Sequence, residues 1–351
     1  MKKFIIKLFF FIILIFVTNH IIHLLVPMSY GNVMNAMKMD YLSTHLSNFN
    51  TLFIGSSQTF REINPDCFDK NTNTEVYTKS FNLGTPGTLN PESYYLFDKL
   101  LEKDAKNIKY IVMELKDVSP LTQSQKIHTS KGRYYAEFND ILFALKTIKA
   151  SSRSIENKID DYNDYITAFV EKSFNLELYK DLKEYRLKYE ESIFPKMNYN
   201  GYVSFDNEDN NDKIERQKRL KFESDTFKLQ HLIKENTEYF LDPNSKHFNK
   251  VHYKRMLSMI NKCEKKGIQL IFFIPPQTYL KEIISIFNKI PEENRIELAN
   301  YSYYPEFYLA RNTYSLYHLN NQGAEILSKL LSKEFCRVVS LKRAKSSNSS
   351  K

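Results

Sequence analysis

The chain has 351 residues, 50 Lys and Arg against 41 Asp and Glu, a net charge of +9 and 42% hydrophobic content, enough for one large domain with an elaboration or for two small ones. Its three cysteines, Cys67, Cys263 and Cys336, are too few for a disulfide scaffold, since one pair at most would leave a thiol over, and no two stand at metal-ligand spacing, so no metal site is expected. The positive charge is spread over a Lys-rich surface; it suits anionic lipid or polymer as well as plain solvation, and no nucleic-acid-binding motif accompanies it.

The N-terminus differs from the rest. After Met1-Lys2-Lys3, Phe4 to Val26 is apolar except for Lys7, Thr18, Asn19, His20 and His23. As a helix it spans roughly 30–35 Å, about one hydrocarbon thickness. Lys2, Lys3 and Lys7 on the amino side predict a cytoplasmic N-terminus and an extracytoplasmic remainder. A cleaved signal peptide is the competing reading, with Leu8 to Val17 as its apolar segment. No small-x-small cleavage site follows and apolar character resumes at Ile21, which favours an uncleaved anchor over residues 1–27, contacting lipid through residues 4–26. A helix buried in a soluble protein is disfavoured by the lysines and the terminal position. Residues 28–48 read as a membrane-proximal linker with some helix.

Thr51 to Ile54 is the first strand, ending abruptly at Gly55-Ser56-Ser57. Glu75 to Asn82 is a second strand, followed by Gly84-Thr85-Pro86-Gly87. Asn90-Pro91 starts a helix carrying Tyr94, Tyr95, Leu96, Leu100 and Leu101. Lys109 to Leu115 is a third strand, as continuously apolar as a buried parallel strand should be. From about 123 to 249 the strand signal gives way to helical patterns at Phe138–Ile148, Ile159–Val170, Leu176–Tyr189 and Lys213–Glu238, read as a helical insertion in an α/β domain over 49–340. Lys250 to Lys265 is helical, Ile268 to Ile274 is a fourth strand, Tyr279 to Asn288 a helix and Arg295 to Asn300 a fifth strand. A final helix runs from Gln322 to Phe335, and 341–351 is a Lys/Ser-rich tail expected to be disordered.

Three stretches fall where parallel strands end or the last helix begins: Gly55-Ser56-Ser57, Asn82-Leu83-Gly84-Thr85-Pro86-Gly87, and His318-Leu319-Asn320-Asn321-Gln322-Gly323-Ala324. Open α/β sheets assemble their sites at the carboxyl ends of strands. A serine there and a distant histidine form a nucleophile and its base if the fold joins them, with a glycine N–H for the oxyanion.

These three blocks, in this order, resemble those of the SGNH (GDSL-like) hydrolase superfamily, over about residues 50–118 and 250–335. The likeness is to its membrane-anchored branch, which works beside membrane-bound O-acyltransferases in modifying surface polysaccharides, as the D-alanine-transfer and alginate-acetylation accessory proteins do. It implies a flavodoxin-like three-layer α/β/α fold, no cofactor, Ser57 as nucleophile and His318 as base. It further implies oxyanion donors at the backbone of Gly84 and Ser57, with Ser56, Asn82, Ser315 and Asn320 in support. The sequence departs from that pattern twice. Ser315 stands where the family has an acid, three residues before the histidine, and no Gly-x-Asn-Asp block follows the third strand. The resemblance therefore implies an extracytoplasmic esterase or acyl (acetyl) transferase acting on a surface glycan. The rival readings are a catalytically impaired accessory or binding protein of an O-acyltransferase system, and a structural envelope protein without a site.

Overall fold

The computed structural model describes residues 2–25, 33–88, 90–103, 105–115, 127–151, 153–174, 199–205, 213–224, 226–241, 248–278 and 283–349. In chain order, α1 (Lys2–Leu25) and α2 (Val33–His45) precede β1 (Thr51–Ile54), α3 (Ser57–Glu62), α4 (Pro65–Thr72), β2 (Ser80–Asn82), α5 (Asn90–Glu102) and β3 (Tyr110–Glu114). The middle supplies α6 (Ser130–Tyr134), α7 (Phe138–Ala150), α8 (Ile155–Ser173), α9 (Lys213–Ser224) and α10 (Phe227–Leu241). Then come α11 (Lys250–Glu264), β4 (Gln269–Ile274), α12 (Ile283–Phe287), β5 (Arg295–Glu297), the short strands β6 (Thr313–Ser315) and β7 (His318–Leu319), and α13 (Asn321–Ser349). The helix expected over Leu176–Tyr189 lies outside the described residues.

Five strands form one parallel sheet in the order β2-β1-β3-β4-β5. In this doubly wound arrangement the winding reverses between β1 and β3, which opens a crevice at their carboxyl ends. The strands are apolar on both faces because both are covered. Phe53, Val112 and Ile271 pack with Phe68 of α4 and with Leu327, Leu331 and Phe335 of α13. The alternate residues Leu52, Ile111 and Leu270 are equally buried, and α5 and α11 pack on β1 and β4. Each such buried aliphatic or phenylalanine side chain contributes about 1.5–3 kcal/mol.

Along β2 the open edge is met by another part of the chain. Asn82 N–H donates to Asn200 O at 2.8 Å. Gly201 follows with φ +83°, and a Cβ there would lie 2.2 Å from Asn82 O, so only glycine fits this approach.

Several boundaries differ from expectation. β2 is shorter than Glu75–Asn82, because Asn73 Oδ1 and Asp69 take the N–H groups of Thr78 and Ser80 and hold that approach in a turn. The helix expected over Lys213–Glu238 is two helices, with Thr226 O restarting the ladder. The last helix continues to Ser349 through the stretch read as a disordered tail. Val338 and Val339 are buried, Lys345 reaches Glu293 at 2.6 Å and Lys342 pairs with Glu264, so the basic residues have partners. The region read as a linker holds α2, whose Ala36, Met37 and Leu42 are buried.

The chain divides into two compact units, residues 1–40 with 120–194 and residues 41–119 with 195–351. The segment read as one insertion is thus shared: its first part groups with the N-terminal helix, its second with the sheet. The smaller unit has its own core of Ile127, Ala136, Ile141, Ala144, Ile148, Tyr165 and Ala168. All three cysteines are free thiols.

Glu297 ends β5 with a half-buried carboxyl group that accepts from Ala299 N–H and Asn300 N–H, at 2.5 and 2.6 Å. Burial outweighs those bonds and pushes its carboxyl from 4.5 up to about 7. The folded state then keeps a proton that the unfolded chain releases between those values, so this residue makes stability fall as pH rises from 4.5 to about 7. Glu297→Gln keeps an acceptor oxygen without the titration. Thermal unfolding at several pH values should show a flatter profile for the variant, the difference being at most about 3 kcal/mol.

Candidate functional site

β1 delivers the chain to the switch point and Gly55 turns it. A Cβ at Gly55 would lie 2.0 Å from Thr59 Oγ1 and 2.4 Å from Glu114 Oε2, so the turn admits no side chain. Ser56 caps α3 by accepting from Gln58 N–H, and Ser57 is the first residue of that helix. Its N–H therefore stands outside the intrahelical ladder.

The turn is braced from beneath. Glu114, at the end of β3 and 2% exposed, accepts from Ser56 N–H at 2.8 Å and Ser56 Oγ at 2.6 Å. It also accepts from Thr59 N–H at 3.2 Å and Thr59 Oγ1 at 2.6 Å. A carboxylate with that many donors satisfies the rule that buried charge must be hydrogen-bonded. Asn82 ties the next layer: its Nδ2 donates to Thr59 O and Ile63 O, at 2.6 and 2.8 Å. Gln58 Nε2 donates to Pro276 O at 2.8 Å, linking α3 to the turn after β4.

His318 comes from a different element. β6 and β7 form an antiparallel hairpin in which Ser315 and His318 are partners across a two-residue connection. The far end of α3 holds β7, since Leu319 N–H donates to Glu62 Oε1 at 3.3 Å. The result joins residues 261 positions apart: Ser57 Oγ lies 2.8 Å from His318 Nε2, and Ser315 Oγ lies 3.1 Å from His318 Nδ1. Both Ser57 and His318 are partly exposed.

This chain of hydroxyl, imidazole and hydroxyl can move a proton. With Nδ1 protonated and donating to Ser315, Nε2 accepts from Ser57 and generates an alkoxide-like nucleophile. Ser315 can accept or donate, so it selects the tautomer less firmly than a carboxylate and adds no charge to steady an imidazolium. Ser315→Asp is expected to raise the rate at which a fluorophosphonate modifies Ser57 roughly tenfold, with Ser315→Ala moving it the other way. The time course of labelling measures both.

The other residues expected at the site have structural partners. Gly84 N–H, assigned by resemblance to the oxyanion, donates to Asn82 Oδ1 at 2.8 Å. A Cβ at Gly84 would come 2.4 Å from Phe60 N, so the glycine serves close packing of its turn on α3. Asn320 caps α13 by accepting from Gly323 N–H at 3.0 Å, while its Nδ2 donates to Arg311 O. Sequence reasoning missed Glu114, Arg61 and Phe205. The Phe205 ring packs edge-on to His318 at 4.9 Å and stacks on Tyr314 at 4.5 Å. The buried Arg61 guanidinium sits over the rings of Phe60 and Phe205, at 4.4 and 5.0 Å. An acid closing an otherwise apolar strand was the available signal for Glu114; Phe205 had none. A cleft of about 620 Å³ is lined by Asn64, Lys70, Tyr202, Ser204, Asn321 and Lys329, and by neither Ser57 nor His318.

The fold and the site together define an α/β protein with a hydroxyl–imidazole pair at the switch point of its sheet. No family model matches the chain, and no curated protein matches it closely enough to count as a relative. Among the described residues no group of His, Cys, Asp and Glu is arranged to hold a metal ion.

Proposed function

We propose that the protein is an SGNH-like serine acyl-ester hydrolase or acyltransferase. The observation that carries this reading is the 2.8 Å contact between Ser57 Oγ and His318 Nε2 at the carboxyl edge of a parallel sheet. Ser57 Oγ attacks an ester carbonyl and its proton passes to His318 Nε2. The new Oγ–C bond stays as the ester C–O bond breaks, and the leaving alkoxide takes that proton. Water or a glycan hydroxyl then attacks the acyl-serine, gives its proton to His318, and restores Ser57. Ser57 N–H at the start of α3 is the oxyanion donor available in this arrangement. We place the reaction outside the cytoplasm, on a surface glycan and beside a membrane-bound O-acyltransferase, with α1 as a single-pass anchor whose N-terminus is cytoplasmic. The lysine flank and the resemblance support that placement. Labelling by a fluorophosphonate tests the core claim: Ser57 should be modified in the native chain and not in His318→Ala, and a native chain that resists the probe would sink it.

The second reading, an accessory protein that binds a glycan or acyl chain without turnover, is favoured by one observation. The Gly84 N–H is occupied by Asn82, which leaves the oxyanion fewer donors than the family pattern requires.

A further inference from the structure

The smaller unit carries an apolar stripe that its own core does not use. On α8, Ile155 is 78% exposed, Ile159 52% and Ile166 48%, with Val170 at 39%. At 100° per residue these four fall within about 60° of one another. Tyr165 and Ala168, which face the core, lie on another side of the helix. Phe138 of α7 is a further exposed apolar side chain of this unit, 62% exposed.

What covers this stripe is indicated by where α8 ends. Phe174, just past its last residue, meets the ring of Phe16, and Asn19 Nδ2 donates to Ser173 O at 3.1 Å. Both contacts fall inside the apolar span Lys2–Ile22. Asn19 and Phe16 are three and six residues short of Ile22, so at 1.5 Å per residue the end of α8 and the residue after it meet the span about 4.5 and 9 Å inside its boundary. Among the described side chains of α1, only Ile15, Asn19 and Ile22 are partly covered, so the end of α8 abuts the last turns of α1 and does not run along it. A helix whose end abuts a membrane span at that depth, and which carries an exposed apolar stripe of its own, is placed as an interfacial amphipathic helix is, with an apolar face about 5–10 Å into the headgroup–acyl boundary.

We propose that α8 lies in the membrane interface on the side where α1 emerges, with Ile155, Ile159, Ile166 and Val170 in contact with lipid acyl chains. The proposal rests on α1 being a membrane anchor, and the test separates the two. The chain contains no tryptophan, so a single introduced Trp is a clean reporter. Full-length Phe10→Trp, Ile159→Trp and Asp160→Trp are reconstituted in phosphatidylcholine vesicles with and without brominated acyl chains. Phe10→Trp reports the anchor, Ile159→Trp the stripe, and Asp160→Trp a solvent-facing position beside it. The expected result is quenching of Ile159→Trp to within about twofold of Phe10→Trp, with Asp160→Trp little affected. Quenching of Phe10→Trp alone overturns the proposal and leaves the anchor standing. Blue-shifted but unquenched emission from Ile159→Trp overturns it in favour of protein covering the stripe. Absence of quenching at Phe10→Trp removes the anchor and the proposal with it.

Discussion

Ser57→Ala should abolish fluorophosphonate labelling and lower hydrolysis of an activated acetate ester by about 10³–10⁶-fold, and His318→Ala should do nearly as much. Under the proposed acyl transfer the two residues act as one unit. The hydroxyl is a poor nucleophile without a base, and the imidazole has no covalent role without the hydroxyl. The double variant should therefore cost little more than either single change. Single-turnover kinetics would show the loss in the acylation step. Neither change should unfold the protein, because both residues are partly exposed. Equal turnover by native and Ser57→Ala chains would leave the accessory-protein reading in its place.

Glu114→Ala should have the largest effect on the fold. It leaves two backbone N–H groups and two hydroxyls, those of Ser56 and Thr59, without their acceptor in a buried turn. A buried donor left without an acceptor costs about 1–3 kcal/mol, so the two N–H groups alone cost about 2–6 kcal/mol, or a fall in Tm on the order of 10 °C. Glu114→Gln is no remedy, since its amide NH₂ would face donors, whereas Glu114→Asp keeps the charge one methylene short and should recover part of the loss. Thermal unfolding measures the first effect and the rate of Ser57 labelling the second. If the carboxylate positions the nucleophile turn, labelling of Glu114→Asp should slow at temperatures where the chain is still fully folded. Normal labelling with lowered Tm would make Glu114 a support of the fold alone.

What was legible in the sequence is what local pattern encodes. Apolar runs closed by Gly55, by Gly84 and by Pro275 give the parallel strands, and their spacing by helical periodicity gives the winding. Ser57 and His318 were legible as candidates because each sits at a chain break of recognisable type, a strand end and the approach to a helix. Their meeting was not local information; it depends on Glu62 holding Leu319 at the far end of α3. The direction of the Gly84 N–H was equally hidden, since Asn82 competes for it through a side chain whose rotamer only packing decides. The fate of 341–351 was misjudged for a similar reason. Lysines and serines read as a solvated tail until acids on other elements, Glu264 and Glu293, are brought beside them.

The carbonyl of Asn200 on the N–H of Asn82 closes one side of the sheet with chain from the middle of the sequence. A bare β2 would offer its unpaired groups to any extended peptide, including the same strand of a second molecule. The segment around Gly201 covers that end of β2, and four residues further on Phe205 packs against His318. A shortened form that deleted the middle of the chain to isolate the sheet would remove that cover and the phenylalanine against His318 in one cut, and should associate more readily than the full chain in solution.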